Sequence, residues 1–281
     1  MKRFIALISL SMLFSACSSG VKNAAQGPST PVASNGSPSA TPPMGVATGS
    51  PQSIPSSATP VPGVSTAPTP PMDAEAVAAI RRTFEERLKE NPNDPDAHYN
   101  IGKTLYEVGR YKEAVPELKK AIAQNPKDDA AHFVLGNTYD KLGQYKQAAQ
   151  EFKQVVNLKP DDMEARMNLG NAYAKSRQFD EATKAYKTVV AAKPNDFAAH
   201  YNLGMMYGHL DLVQEAITEL RKAIDIKPDY AEARYTLGLV YQATGDHAKA
   251  IEQYQQLKNF KSPLADDLGQ KIRTTTYGEV K

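Results

Sequence analysis

One cysteine and no tryptophan occur in the 281 residues. A lone cysteine cannot close an internal disulfide, and no Cys/His spacing of a structural zinc site is present. Missing too are a phosphate-cradling glycine loop and any nucleophile motif, so no enzyme activity and no cofactor are expected. An excess of charge is also lacking. The sequence holds 33 Lys and Arg against 31 Asp and Glu, and loss of Lys2 and Arg3 with the leader described below would bring the basic count to 31. Nucleic acid is recognised by a basic surface, so a formally neutral protein is not expected to have a nucleic-acid partner.

What the sequence does have is a period. Gly102, Gly136, Gly170, Gly204 and Gly238 fall 34 residues apart, as do Pro92, Pro126, Pro160, Pro194 and Pro228, and Ala114, Ala148, Ala182, Ala216 and Ala250. A fixed interval of this length marks stacked helical repeats. Within a unit the apolar residues define two amphipathic helices. Ile101, Leu105 and Val108 form one stripe, and Ala114, Leu118, Ala121 and Ile122 a second. The stripes must face each other, and small residues at Gly102 and Ala114 let the backbones approach. Asp94, Asp128, Asp162 and Asp196 stand where a side-chain oxygen caps the first helix of a unit, and Pro95 suits a first helical turn. Gly109, Gly143 and Gly245 supply a left-handed stop between the helices. Arg177 and Asp211 hold that phase in the third and fourth units, where the stop is not read from the sequence.

The pairs Ile101-Gly102, Leu135-Gly136, Leu169-Gly170, Leu203-Gly204 and Leu237-Gly238 are each followed, three residues after the glycine, by Leu105, Tyr139, Tyr173, Tyr207 or Tyr241. With the terminal prolines, this pattern resembles the tetratricopeptide repeat over residues 95–264. The resemblance implies an all-α, right-handed solenoid of five helix-turn-helix repeats with flanking capping helices, and a role in binding other proteins. The fifth unit departs from it, ending at Ser262-Pro263 with the proline displaced by one residue. Residues 73–94 read as an N-terminal capping helix with Val77, Ile80, Phe84 and Leu88 on one face. Residues 265–281 read as a C-terminal capping helix and tail: Leu264, Leu268 and Ile272 share a face, and the segment from Thr274 is expected to fray.

Residues 1–16 read as a secretory signal, with basic Lys2 and Arg3, an apolar run from Phe4 to Phe14, and small Ser15 and Ala16. The run is too short to span a bilayer as a mature anchor. Phe14-Ser15-Ala16-Cys17 resembles the lipobox of bacterial lipoproteins, with Phe14 where that family usually has leucine. The resemblance implies lipidation of Cys17 with several acyl groups such as palmitate, which anchor firmly where a single one binds only marginally. In a Gram-negative source, Ser18 in place of the aspartate that retains such proteins in the inner membrane implies an outer-membrane lipoprotein facing the periplasm of the cell envelope. A generic signal with an incidental cysteine is the alternative. Residues 17–72 are a Pro/Ser/Thr-rich linker in which Lys22 is the only charge, and such a composition cannot bury a core. As a flexible tether it would span roughly 40 Å, and as extended polyproline helix about 170 Å. Its Ser and Thr next to Pro also suit glycosylation.

Stacked helix pairs leave a concave face lined by the first helix of each unit. One phase of that helix carries Tyr99, Phe133, Met167, Tyr201 and Tyr235; the next carries Asn100, Asn168 and Asn202; a third carries Lys103, Asn137, Asn171 and Met205. These twelve residues are the expected peptide-binding groove, an aromatic wall beside a row of amides. Because a carboxamide both donates and accepts, Asn137 with Asn168, and Asn171 with Asn202, suit an extended peptide backbone; bonds to neighbouring helices are the other reading. Some cytosolic members of the repeat family bind chaperone C-termini through two lysines and an arginine around such a pair. Phe133, Ala198 and Asn202 hold those places here, so that ligand is not expected. His98, His132 and His200 share one phase with Arg166 and Arg234. Metal ligands converge at about 2 Å, whereas helices of successive units lie roughly 8–10 Å apart, so the row reads as packing. The expected function is a lipid-anchored envelope scaffold that binds a segment of another envelope protein. An assembly factor for an outer-membrane secretin, pilus or secretion system and an adaptor for cell-wall enzymes are its two alternatives.

Overall fold

The computed structural model describes residues 74–277. The signal, Cys17 and the linker lie outside the described residues, as do the side chains of Val77 and Ile80 and everything beyond Tyr277. Helix α1 (Ala74–Glu90) is followed by five helix pairs: α2 (Pro95–Glu107) and α3 (Tyr111–Gln124), α4 (Asp129–Lys141) and α5 (Tyr145–Leu158), α6 (Met163–Lys175) and α7 (Phe179–Ala192), α8 (Phe197–His209) and α9 (Val213–Ile226), α10 (Ala231–Thr244) and α11 (His247–Asn259). The last helix, α12 (Leu264–Tyr277), continues past Thr274, the expected start of fraying. Each helix packs chiefly on those before and after it, and α12 touches both α10 and α11. No strand occurs among the described residues, and none of their helices is long and apolar enough to cross a membrane.

Local chemistry explains where the helices begin. Asp94 accepts from the backbone N–H of Asp96 and Ala97 at 3.0 and 3.1 Å, and Asp128, Asp162 and Asp196 accept from Ala131, Ala165 and Ala199 at 3.0, 2.9 and 3.0 Å. Each satisfies N–H groups that the first turn leaves without partners. The fifth unit has Tyr230 at this place, and its side chain makes no bond to the helix end. Its ring instead meets Phe197 and Tyr201 edge-on, with centroids 5.0 and 5.2 Å away.

The turns between paired helices are alike in all five units. Gly109, Gly143 and Gly245 have φ of 80°, 73° and 84°, and Arg177 and Asp211 adopt 63° and 57°. Left-handed backbone costs a residue with a Cβ roughly 1–2 kcal/mol. It persists because the next amide closes the same bond in every case: Gln144 to the Tyr139 carbonyl at 2.8 Å, Gln178 to Tyr173 at 2.8 Å, Leu212 to Tyr207 at 2.9 Å.

The glycine ladder marks where paired helices touch. A Cβ on Gly170 would lie 2.6 Å from Cε1 of Tyr186, and Gly102, Gly136 and Gly204 face Leu118, Phe152 and Leu220 in the same way. The fifth unit differs, because Gly238 faces Leu268 of α12, while Tyr254 of α11 lies against Gly269. Two apolar clusters run through the stack, one through α2 to α6 and one through α7 to α12, and Tyr173 packs against both.

Candidate functional site

The first helices of the units carry the candidate groove, and its two halves differ. In the first three units the candidate residues are half-buried or exposed. Tyr99 is half-buried, and burial, followed by the charges of Asp128, Glu107 and Asp129, raises its phenol above the ordinary value. Asn100 donates to the Asp96 carbonyl of its own helix at 2.7 Å, and Lys103 is exposed, 3.9 Å from Glu107. Phe133 meets Phe152 edge-on at 5.7 Å. Asn137, Met167 and Asn168 are half-buried. At the edge of this half Lys175 donates to both carboxylate oxygens of Asp140 at 2.7 Å, tying the third unit to the second.

In the fourth and fifth units the wall is closed. Tyr201 is 5 % and Met205 4 % exposed, so neither lines an open groove, contrary to the expectation from helical phase. Tyr230 covers Tyr201, and the next unit's Leu239 joins both in the core. The Tyr235 hydroxyl donates to Asp267 of α12, so the C-terminal helix occupies the end of this face.

Between the halves, the asparagines are engaged with the protein itself. Asn171 Oδ1 accepts from the Tyr186 hydroxyl at 2.7 Å and from Asn202 Nδ2 at 3.5 Å, and the same Nδ2 lies 3.7 Å from the Met167 sulfur. Burial pushes the Tyr186 phenol well above its ordinary value, so it stays a donor. Asn171 therefore does not simply face solvent. It is the acceptor of a buried phenol, a role that phase alone does not reveal because the donor belongs to α7.

The histidine row is a set of stitches. Nδ1 of His98, His132 and His200 lies 2.7, 2.7 and 2.5 Å from Glu117, Glu151 and Glu219, and Nε2 lies 3.3, 3.2 and 3.0 Å from the carbonyls of Pro92, Pro126 and Pro194. Each imidazole thus joins the two helices of its unit to the preceding turn. Desolvation raises the Glu117 carboxyl, but bonds from His98 and Lys120 and their charges outweigh it, and the group ends below the usual glutamate range. The signal for these acids was present as Glu117, Glu151 and Glu219, each the same distance along the sequence from its histidine.

Comparisons with known proteins fall on these same units. A family model described as tetratricopeptide repeat matches residues 72–135, 105–162 and 141–204; one described as TPR repeat matches 213–245, and another tetratricopeptide repeat model matches 231–261. No curated protein matches the sequence. Among solved structures, YrrB, described as a TPR protein with an unusual peptide-binding site, is 22% identical with a TM-score of 0.59, covering 68% of this chain and 99% of its own. MamA from Desulfovibrio magneticus RS-1, solved from its residue 41 onward, is 26% identical with a TM-score of 0.57, covering 59% of this chain and 94% of its own. A further MamA structure is 24% identical with a TM-score of 0.56, covering 66% and 95%.

Proposed function

Because the chain belongs to the tetratricopeptide repeat family, we propose that it is a non-enzymatic scaffold that takes a segment of another protein on the face formed by α2, α4 and α6. The reading rests on one contrast: Tyr99, Lys103, Phe133, Asn137, Met167 and Asn168 of the first three units are half-buried or exposed, whereas Tyr201 and Met205 are buried and Tyr235 is bonded to Asp267 of α12. Half-buried Tyr99, Phe133 and Met167 offer apolar anchors, and Asn137 and Asn168 offer amides to an extended backbone. A protein of this fold, YrrB, is described as having a peptide-binding site, which accords with this use of the face. The protein is further proposed to act from a membrane, tethered through lipidated Cys17 and the Pro-rich linker in the envelope.

Photo-crosslinking of the full-length protein in cells tests the docking face. A crosslinker in place of Asn137 is expected to trap a partner protein, and one in place of Lys153, on the outer helix α5, is not. With that partner purified, Asn137→Ala combined with Asn168→Ala should weaken binding by about one to two powers of ten, since each neutral hydrogen bond contributes roughly 0.5–1.5 kcal/mol. A partner trapped only from position 153 would put the docking site on the outer face. For the anchor, Cys17→Ser should leave the protein uncut or soluble; unchanged membrane fractionation and mass would remove that part of the proposal.

A further inference from the structure

The row of stitches has one irregular member. In the first, second and fourth units a histidine meets Glu117, Glu151 or Glu219. In the fifth unit the histidine is replaced by Arg234, whose Nε donates to the Pro228 carbonyl at 2.8 Å and whose Nη1 donates to Gln253 at 3.3 Å. Four units thus keep an acceptor on the second helix. In the third unit the cation is Arg166, which donates from Nη2 to the Pro160 carbonyl at 2.7 Å, and the acceptor's place is taken by Ala185. A methyl group accepts nothing, and Arg166 Nε is buried without a hydrogen-bond partner.

We propose that Arg166 receives a carboxylate from another molecule, at the place that the first, second and fourth units fill with a glutamate of their own. In the first, second and fourth units this place borders solvent, since the side chains of Glu117, Glu151 and Glu219 are 20, 20 and 12 % exposed. In the third unit Ala185 is buried and Arg166 is half-buried, so a carboxylate would approach along the open side of the guanidinium. It also suits the ion. A guanidinium presents donors in a planar fork that matches a carboxylate, and Nε is the donor still without an acceptor. In the first and fourth units Lys120 and Lys222 also donate to the glutamate, at 3.0 Å. Thr188 stands at that position in the third unit and gives its hydroxyl to the Lys184 carbonyl at 3.1 Å, which leaves the carboxylate to Arg166. An acidic side chain and the free end of a polypeptide present the same group, and both fit. Arg166 precedes Asn168 by two residues and therefore points to the opposite side of α6, so this site stands or falls separately from the proposed groove.

The test follows the Arg166 side chain by NMR in the full-length protein labelled with ¹⁵N-arginine, its Nε–H signal identified by its loss in Arg166→Lys. The probes are N-acetylglycine, which carries a terminal carboxylate, and N-acetylglutamate α-amide, which carries a side-chain one, with sodium chloride at matched ionic strength as control. The signal is expected to shift saturably with at least one carboxylate while that of Arg234 stays in place, and the stronger response identifies the source. Ala185→Glu should move the signal without any probe and abolish the response. An Arg166 signal that neither carboxylate moves, that chloride moves equally, or that still responds in Ala185→Glu would overturn the proposal. Should Ala185→Glu fail to fold, the titration of the unaltered protein decides by itself.

Discussion

Asn171 sits on the face where a ligand amide would be useful, yet its oxygen accepts the hydroxyl of Tyr186, which is 2 % exposed. A buried donor whose partner is removed costs about 1–3 kcal/mol, whereas removing both partners together is nearly neutral. Asn171→Ala is therefore expected to lower stability by about 1–3 kcal/mol in urea unfolding, and adding Tyr186→Phe should recover most of the loss. If Asn171→Ala unfolds at the parent midpoint, the bond contributes nothing and the amide is free for ligand. Of the two readings that the sequence leaves open for the amides, Asn171 follows the one in which they bond to a neighbouring helix. For the same reason Asn137 and Asn168 are the better variants for testing partner binding.

At the scale of the element, α12 closes the stack as more than a cover. Leu268 is fully buried and faces Gly238, in the way that Leu118, Phe152, Tyr186 and Leu220 serve the preceding glycines from the second helix of their own units. Cutting Leu268 back to alanine removes that contact and leaves a cavity at a helix crossing, a change that costs about 2–5 kcal/mol in well-packed cores. Stacked repeats interact mainly with their neighbours, so the damage should stay local. Hydrogen exchange of Leu268→Ala is expected to show lost protection in α10 and α11, with α2 to α5 protected as before. Uniform loss from end to end would mean that the stack opens as one unit. The turns illustrate the same balance of forces. Arg177 and Asp211 accept left-handed backbone because a hydrogen-bonded turn between two packed helices imposes it, and a strained residue persists where its surroundings over-determine it.

Across the whole molecule, acid should loosen the stack through groups whose charge the fold has rearranged. His209 lies flat on Phe179, with centroids 4.3 Å apart and planes 3° apart. Burial first, and the Arg177 charge second, lower its pKa from 6.5 to about 4. The unfolded state takes up this proton at higher pH than the folded one, so the contribution of His209 to stability falls as pH drops from 6.5 towards 4. Glu117 behaves as a carboxylate with a depressed pKa. Its contribution is present above the ordinary value of 4.5 and is lost as pH falls through the lower folded value. Asp94 follows the same rule: desolvation raises it, but the Ala97 amide, Arg87 and the Asp96 amide together hold it low. Thermal melting of the parent and of His209→Phe, which keeps the stack, should give curves whose difference narrows steadily from pH 6.5 to about 4 in favour of the variant. A pH-independent difference would show that His209 titrates alike in both states.

Much of this architecture was legible because it repeats and is local. The glycine, alanine and proline ladders place two helices per unit, and Asp94, Asp128, Asp162 and Asp196 cap them through bonds two or three residues away. Helical phase also assigned the accessible part of the face, Tyr99, Lys103, Phe133 and Asn137. What phase conveys is the direction of a side group from its own axis, and it is silent on what the next unit lays over that group. Only the tertiary structure decided that Tyr230 gives up a capping role to cover Tyr201, that Met205 is buried with it, and that Tyr186 reaches Asn171 from the facing helix. The left-handed backbone at Arg177 and Asp211 was likewise invisible in residue type, because the closing hydrogen bonds of the turn and the packing on either side impose it.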